Sequence, residues 1–320
     1  MDSIANILSI LTSNSSRLSI TKEEYVCALL NLLPAMQQAP SKESFLWEPP
    51  SYAKIIEKQV KAVQAIAEAK GINLTNDYAS QDLPDGSLAY YRIQGMIMSD
   101  GWWYFSSKQF EQQLLVADAN PSINAHFLHI TSGGGEAWYL DRLHETMMSL
   151  QKPIYTFVEK AMGSAAYYIG CHGKTIKALT QNDLVGSIGV MISFSDIIPY
   201  LEKLGIKFIE EYATKSDLKN KKYNDLLKGK PEQYITEELD PMQQQFEANV
   251  RDGRKAMRHL PEDAPVFRGE SYYASVASTK DIALVDGLAT LPEALQEANE
   301  MGQEWADKNA KQQNIIHLLK

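Results

Sequence analysis

The chain is short of cysteine, of basic surplus and of long apolar runs, and each shortage removes a class of protein. Its 320 residues hold two cysteines, Cys27 and Cys171. They supply neither a disulfide framework nor a CxxC metal site, and read as buried free thiols in a reducing compartment. Lysine and arginine total 31 against 40 aspartates and glutamates, a formal net charge of −9. That balance argues against a general nucleic-acid binder, which needs a basic face. No window reaches the roughly 18 consecutive apolar residues of a membrane helix. The opening MDSIANILSILTSNSSRLSI has an acid at position 2 and no Lys or Arg before Arg17, unlike the basic start of a signal peptide. The expectation is a cytoplasmic protein with no membrane anchor. The six histidines (His126, His129, His144, His172, His259 and His317) show no Ser-His-Asp order.

Hydrophobic residues make up 44% of the chain and charged ones 22%, which permits a sizeable core. Residues 1–80 read as a helical N-terminal arm. Thr21-Lys22-Glu23-Glu24 resembles a cap before the apolar run YVCALLNLLPAM, and WEPPSYAKIIEKQVKAVQAIAEAKGI carries apolar residues at helical spacing up to Gly71. From residue 81 to 320 the pattern alternates. LAYYRIQGMIM, AHFLHITSGGG, PIYTFVEKA, KTIKAL, LVGSIGVMISF and IKFIEEYA read as strands. SSKQFEQQLLVAD, EAWYLDRLHETMMSL, GSAAYYIGCHG and DIIPYLEKLG read as helices or helix starts between them. Such an order predicts an α/β domain with largely parallel strands and outer helices. Residues 232–260 read as one long polar helix.

Three segments in this pattern suit chemistry. Thr131-Ser132-Gly133-Gly134-Gly135-Glu136 ends an apolar strand; read as a glycine turn, it lets backbone N–H groups approach an oxyanion. It is not a Walker A loop, because no Gly-Lys-Ser/Thr follows. Gly163-Ser164-Ala165-Ala166-Tyr167-Tyr168 sets a serine among tiny residues at a strand-to-helix junction. Ser164 there is either a nucleophile, with helix-start N–H groups beside it, or an ordinary N-cap. Gly186-Ser187-Ile188-Gly189-Val190 is a strand in which glycines imply close backbone approach.

Taken in order, these segments resemble the S49 family of serine peptidases, the signal peptide peptidase A group. Ile130–Gly135 is similar to that family's strand-ending S-P-G-G, with Gly133 where proline is usual. Gly163–Tyr168 is similar to its A-S-G-G-Y-Y, with Ala165-Ala166 for Gly-Gly. Gly186–Val190 matches its G-S-I-G-V, and Leu284-Val285-Asp286-Gly287-Leu288 resembles its G-L-V-D. The resemblance spans roughly residues 86–300. It implies the stacked ββα superhelix of the Clp-protease/crotonase fold. It also implies a Ser-Lys dyad: Ser164 as nucleophile, a lysine in 215–222 as base, and the Ser187 hydroxyl orienting the amine. Within Lys215-Ser216-Asp217-Leu218-Lys219-Asn220, Lys219-Asn220 matches the family's Lys-Asp best and Lys215 is the alternative.

A lysine of ordinary pKa about 10.4 must be lowered by roughly 3 units, about 4 kcal/mol, to act as base at neutral pH, and burial supplies this most readily. Gly134 or Gly135 and Ala165 are then the expected oxyanion donors, and no metal or cofactor is required. The resemblance implies protein or peptide substrates and a homo-oligomer. Its soluble members suggest a phage or prophage protease that matures capsid or scaffold protein. A general cytoplasmic peptide-degrading enzyme is the alternative. A crotonase-type acyl-CoA enzyme would need a site carboxylate such as Glu136 or Glu159. A non-catalytic relative that kept the fold is a third class.

Overall fold

The computed structural model describes residues 18–19, 52–101, 104–193, 198–203, 205 and 207–318. The cap expected at Thr21 and the apolar run after it lie outside the described residues. The chain divides into two compact units, Met1–Leu18 with Val190–Gln245, and Ser19–Gly189 with Phe246–Lys320.

The larger unit is built on a mostly parallel sheet. Strand β1 (Leu74–Thr75) pairs in parallel with β2 (Ser87–Met98), which also takes β3 (Phe105–Ser106) at its far end. Beyond β2 come β4 (Ile123–Glu136) and β5 (Ile154–Gly163), both parallel. Both β6 (Thr175–Ala178) and β7 (Leu184–Gly186) pair with β5 in parallel, at successive levels. Antiparallel β8 (Ser271–Tyr273) closes the edge against β7. β2 and β4 are buried along almost their whole length, as expected of parallel strands covered on both faces.

The helices explain that burial. On one face, Val60, Val63 and Ala67 of α1 (Tyr52–Glu68) join Ala294, Leu295, Ala298 and Met301 of the long C-terminal helix Leu291–Leu318 in one cluster with strand residues Leu88, Tyr90, Phe127 and Tyr155. Three aromatic rings, one from each neighbouring strand, stack across this face: Tyr90–Phe127 at 6.0 Å and Phe127–Tyr155 at 5.5 Å between centroids. Stacked aromatic pairs add about 0.5–1.5 kcal/mol beyond the area they bury. On the other face, Phe110 of α2 (Ser107–Ala119) meets Tyr91 edge-on at 5.2 Å, and α3 (Leu140–Ser149) follows α2. The stretch expected as part of an N-terminal arm is thus, from Tyr52 to Thr75, packed into this sheet and its core.

Three local expectations change. The glycines of β4 do not form a strand-to-helix turn: the strand runs through them to Glu136, with register shifts against both neighbours. The strand expected from residue 184 ends at Gly186, because Ser187 takes a left-handed φ of 52°. The strand expected at IKFIEEYA is absent; residues 207–213 are exposed and without regular structure. In the smaller unit, α5 (Ile198–Lys203) and α6 (Lys221–Leu227) are short helices. The single helix expected over 232–260 begins with a turn, Glu232–Tyr234, widens into a π-turn at Ile235–Leu239 and continues as α7 (Asp240–Gly253).

Candidate active site

The C-terminal ends of β4, β5 and β7 converge on Ser164. Gly163 pairs with Gly186 and Met162 with Ser132, so all three motif segments meet at one edge of the sheet. The contact is close because glycine leaves room for it. A Cβ on Gly163 would lie 3.1 Å from the Gly133 carbonyl oxygen and 3.6 Å from the Ser187 Cβ. A Cβ on Gly135 would come within 1.9 Å of the Ile97 carbonyl oxygen, inside any tolerable contact.

Ser164 precedes the six-residue helix Ala165–Gly170 (α4 by position in the chain) and is 3% exposed. Its backbone is φ 51°, ψ −121°, and its side chain makes no capping hydrogen bond. An N-cap serine normally sits in the β-region and accepts from the helix. Neither holds here, so the Ser164 side chain does not cap the helix. A non-glycine residue at positive φ stores of order 1–3 kcal/mol of strain, and such residues gather at functional sites. The surroundings hold it there. The Ser164 N–H donates to the Gly186 carbonyl at 2.8 Å, and the Tyr168 N–H returns to the Ser164 carbonyl at 2.9 Å. Tyr167 donates its hydroxyl to the Leu284 carbonyl at 3.0 Å, and Tyr168 is hydrogen-bonded to Asn249 of α7. Burial pushes both phenols well above their ordinary pKa, so they remain donors. The first turn of α4 leaves its leading N–H groups, Ala165 among them, without helical acceptors.

The other expected residues fall as follows. Ser187 is half-buried beside Gly163, and its N–H donates to the Glu270 carbonyl at 2.8 Å. The Gly134 N–H, expected as an oxyanion donor, is turned onto Ser132 Oγ at 3.1 Å. Ser132 in turn donates to the Gly95 carbonyl at 2.6 Å and so ties the glycine segment to β2. Sequence reasoning gave Ser132 no role, although it stands inside the motif. Lys215 and Lys219 belong to the smaller unit, and both are exposed. Their neighbours are engaged: Lys221 pairs with Asp225, while Lys222 pairs with Glu237 at 2.8 Å and Glu238 at 3.0 Å, which raises its pKa. Among the described residues, neither Lys215 nor Lys219 forms an ion pair.

The competing groups are held elsewhere. His126 is bonded to Tyr91 and Asp118, and His129 to Tyr90 and Glu159. His144 and His172 bond each other at 2.8 Å. His259 faces the Lys280 carbonyl at 3.2 Å. The side chain of His317 lies outside the described residues. Glu136 accepts the Ser99 N–H at 2.7 Å, and Glu159 binds Arg92 at 3.2 Å and His129 at 2.9 Å. The two carboxylates that an acyl-CoA enzyme would call on are thus structural. Asp286 of the Leu284–Leu288 motif is structural too: it holds buried Arg254 at 2.8 and 3.1 Å and accepts the Ile176 N–H of β6. Among the described residues, no group of three or more His, Cys, Asp or Glu is placed to hold a metal ion.

Ser164, at positive φ, thus stands at the C-terminal edge of the strands of a mostly parallel α/β sheet. The family model of peptidase family S49 matches residues 147–305, the stretch from the end of α3 into the last helix, and over that stretch the chain is similar to that family. A protein of Enterococcus faecium described as a putative signal peptide peptidase SppA is 28% identical over 145 residues, 41% of this chain and 42% of that protein. The match therefore spans about two fifths of that curated relative. Among solved structures, a membrane-bound stomatin-specific protease is similar at 14% identity and a TM-score of 0.43, over 68% of this chain and 81% of that one. A ClpP1 of Listeria monocytogenes is similar at 11% identity and a TM-score of 0.36, over 64% and 94%. An enoyl-CoA hydratase/isomerase family member is similar at 12% identity and a TM-score of 0.39, over 68% and 72%. These scores are low, and the fold stands on its own sheet order. No helix among the described residues is long and apolar enough to cross a membrane.

Proposed function

We propose that the chain is a serine endopeptidase in which Ser164 forms an acyl-enzyme with protein or peptide substrates. The observation that carries this reading is the Ser164 backbone, φ 51° and ψ −121°, with a side chain that does not cap α4. Lys219 takes the Ser164 proton, with Lys215 as the alternative, and the Ser187 hydroxyl orients the amine. These roles follow the order of the family's motifs. Ser164 Oγ attacks the substrate carbonyl, and Ala165 and Gly135 N–H groups stabilise the oxyanion, joined by Gly134 once its N–H leaves Ser132. The lysine proton passes to the departing amine, and water then releases the acyl group.

Lys219 is exposed, so the desolvation its role demands comes from whatever covers it, a substrate or a second copy of the chain. Exposed Phe208, Ile209 and Leu218 in the same unit suit such a cover, and a homo-oligomer is part of the proposal. The biological reading is a maturation protease for phage or prophage capsid or scaffold protein. The name of the Enterococcus relative favours a second reading, the clearing of cleaved peptides. Incubation with candidate scaffold protein and with a free-peptide library separates the two. Cleavage must vanish in Ser164→Ala and in Lys219→Ala with folding intact. Activity that survives Lys219→Ala but not Lys215→Ala moves the base to Lys215; activity that survives Ser164→Ala overturns the mechanism.

A further inference from the structure

The larger unit carries a cleft of about 330 Å³ that takes no part in the chemistry above. Its apolar wall is made by Met147 of α3, Ile154 at the start of β5, and Met301 and half-buried Trp305 of the last helix. Lys174 and Lys308 stand at its rim, both exposed. The acid among its lining residues, Glu304, is 3.8 Å from Lys308, and both side chains are largely in solvent. In a chain of net charge −9, this is a local reversal of sign around an apolar wall.

A third cation lies beneath. Lys152 is 5% exposed, and its ammonium donates to the Ala117 carbonyl at 2.9 Å and the Asn120 carbonyl at 2.5 Å, the C-terminal end of α2. It sits 6.0 Å from the centre of the Trp305 ring. Its hydrogen bonds go to neutral carbonyls. Asp118, whose charge acts on Lys152, accepts instead from the Gln151 and Lys152 backbone N–H groups and faces His126. The cleft thus has a buried ammonium that, among the described residues, no carboxylate contacts directly, under a wall large enough for a small organic molecule.

We propose that this cleft binds a small monocarboxylate with an apolar body, its tail on Trp305 and its carboxylate toward Lys152, Lys174 and Lys308. Such an anion also acts on a proton. Burial lowers Lys152 to about 8, against an upward pull from Asp118. The other charged or titratable groups lining the cleft are His172, Lys174, Glu304 and Lys308; of these His172 is neutral through burial. A carboxylate arriving beside Lys152 raises its pKa, so binding takes up a proton near pH 8–9.

Isothermal titration of the full-length chain with octanoate tests this, in two buffers of different ionisation heat. N-acetylphenylalanine serves as a second probe, standing for the last residue of a peptide, and the tighter of the two identifies the source of the carboxylate. The expected result is uptake of about half a proton at pH 8.5 and affinity roughly tenfold weaker at pH 9.5 than at pH 7. Trp305→Ala should weaken binding about tenfold. The exposed pair Lys174→Ala with Lys308→Ala should weaken it severalfold and flatten its salt dependence while the proton uptake remains. Three results would each overturn the proposal: neither carboxylate binds, octanamide binds as well as octanoate, or Trp305→Ala binds unchanged.

Discussion

Ser164 is held in a backbone conformation that costs free energy, and removing its hydroxyl does not remove that cost. Alanine keeps the strain at φ 51°, whereas glycine tolerates the geometry. Ser164→Gly should therefore be about 1 kcal/mol more stable than Ser164→Ala in urea titrations, both being inactive; equal stabilities would mean the turn is unstrained. A second residue-scale prediction concerns His172. Burial and the neighbouring His144 lower its pKa to about 4, and His144 is lowered as well by burial. Unfolding returns these rings to about 6.5, so between pH 6.5 and 4 the unfolded chain binds more protons. Stability is then fully present above pH 6.5 and falls as pH drops toward 4. His172→Gln should flatten that part of the profile, measured as the urea midpoint against pH. At this scale the proposed nucleophile is legible only through its neighbours: a serine among small residues suits a cap as well as a catalyst, and φ and ψ bear only on the cap. Ser132 was not legible at all, because its partner Gly95 lies 37 positions away in sequence.

Elements bring those residues together through glycine contacts that leave no slack. A methyl group on Gly135 meets the Ile97 carbonyl at 1.9 Å, backbone against backbone. Gly135→Ala should cost about 4 kcal/mol or more, or prevent folding, read as loss of the cooperative thermal transition. Asp286 pins the segment after β8 to β6 through the Ile176 N–H and to the end of α7 through Arg254. Asp286→Ala leaves a buried guanidinium without its carboxylate and should cost roughly 2–3 kcal/mol. The parallel strands were legible because they are apolar on both faces. The strand expected at IKFIEEYA was not real: its alternation of Phe208 and Ile209 with acids satisfies the pattern, but residues 207–213 have no strand partner among the described residues. The π-turn at Ile235–Leu239 was likewise invisible, since one extra residue per turn leaves no mark on a polar sequence.

For the whole molecule, the division into two units matters more than the size of the core. The proposed nucleophile stands in the larger unit and both candidate lysines in the smaller. The smaller unit exposes Ile209 at 82% and Leu218 at 72%, a surface that suits association. If a neighbouring copy supplies the cover that Lys219 lacks, specific activity should rise with protein concentration and fall when Leu218→Glu weakens assembly, followed by light scattering alongside peptide hydrolysis. The central claim is more direct, that Ser164 is the nucleophile. It is tested by intact mass and peptide mapping after treatment with a serine-directed fluorophosphonate. The account predicts one adduct per chain, on Ser164, forming faster as pH rises and lost in Ser164→Ala. An adduct mapping elsewhere, or one that forms equally in Ser164→Ala, would contradict it.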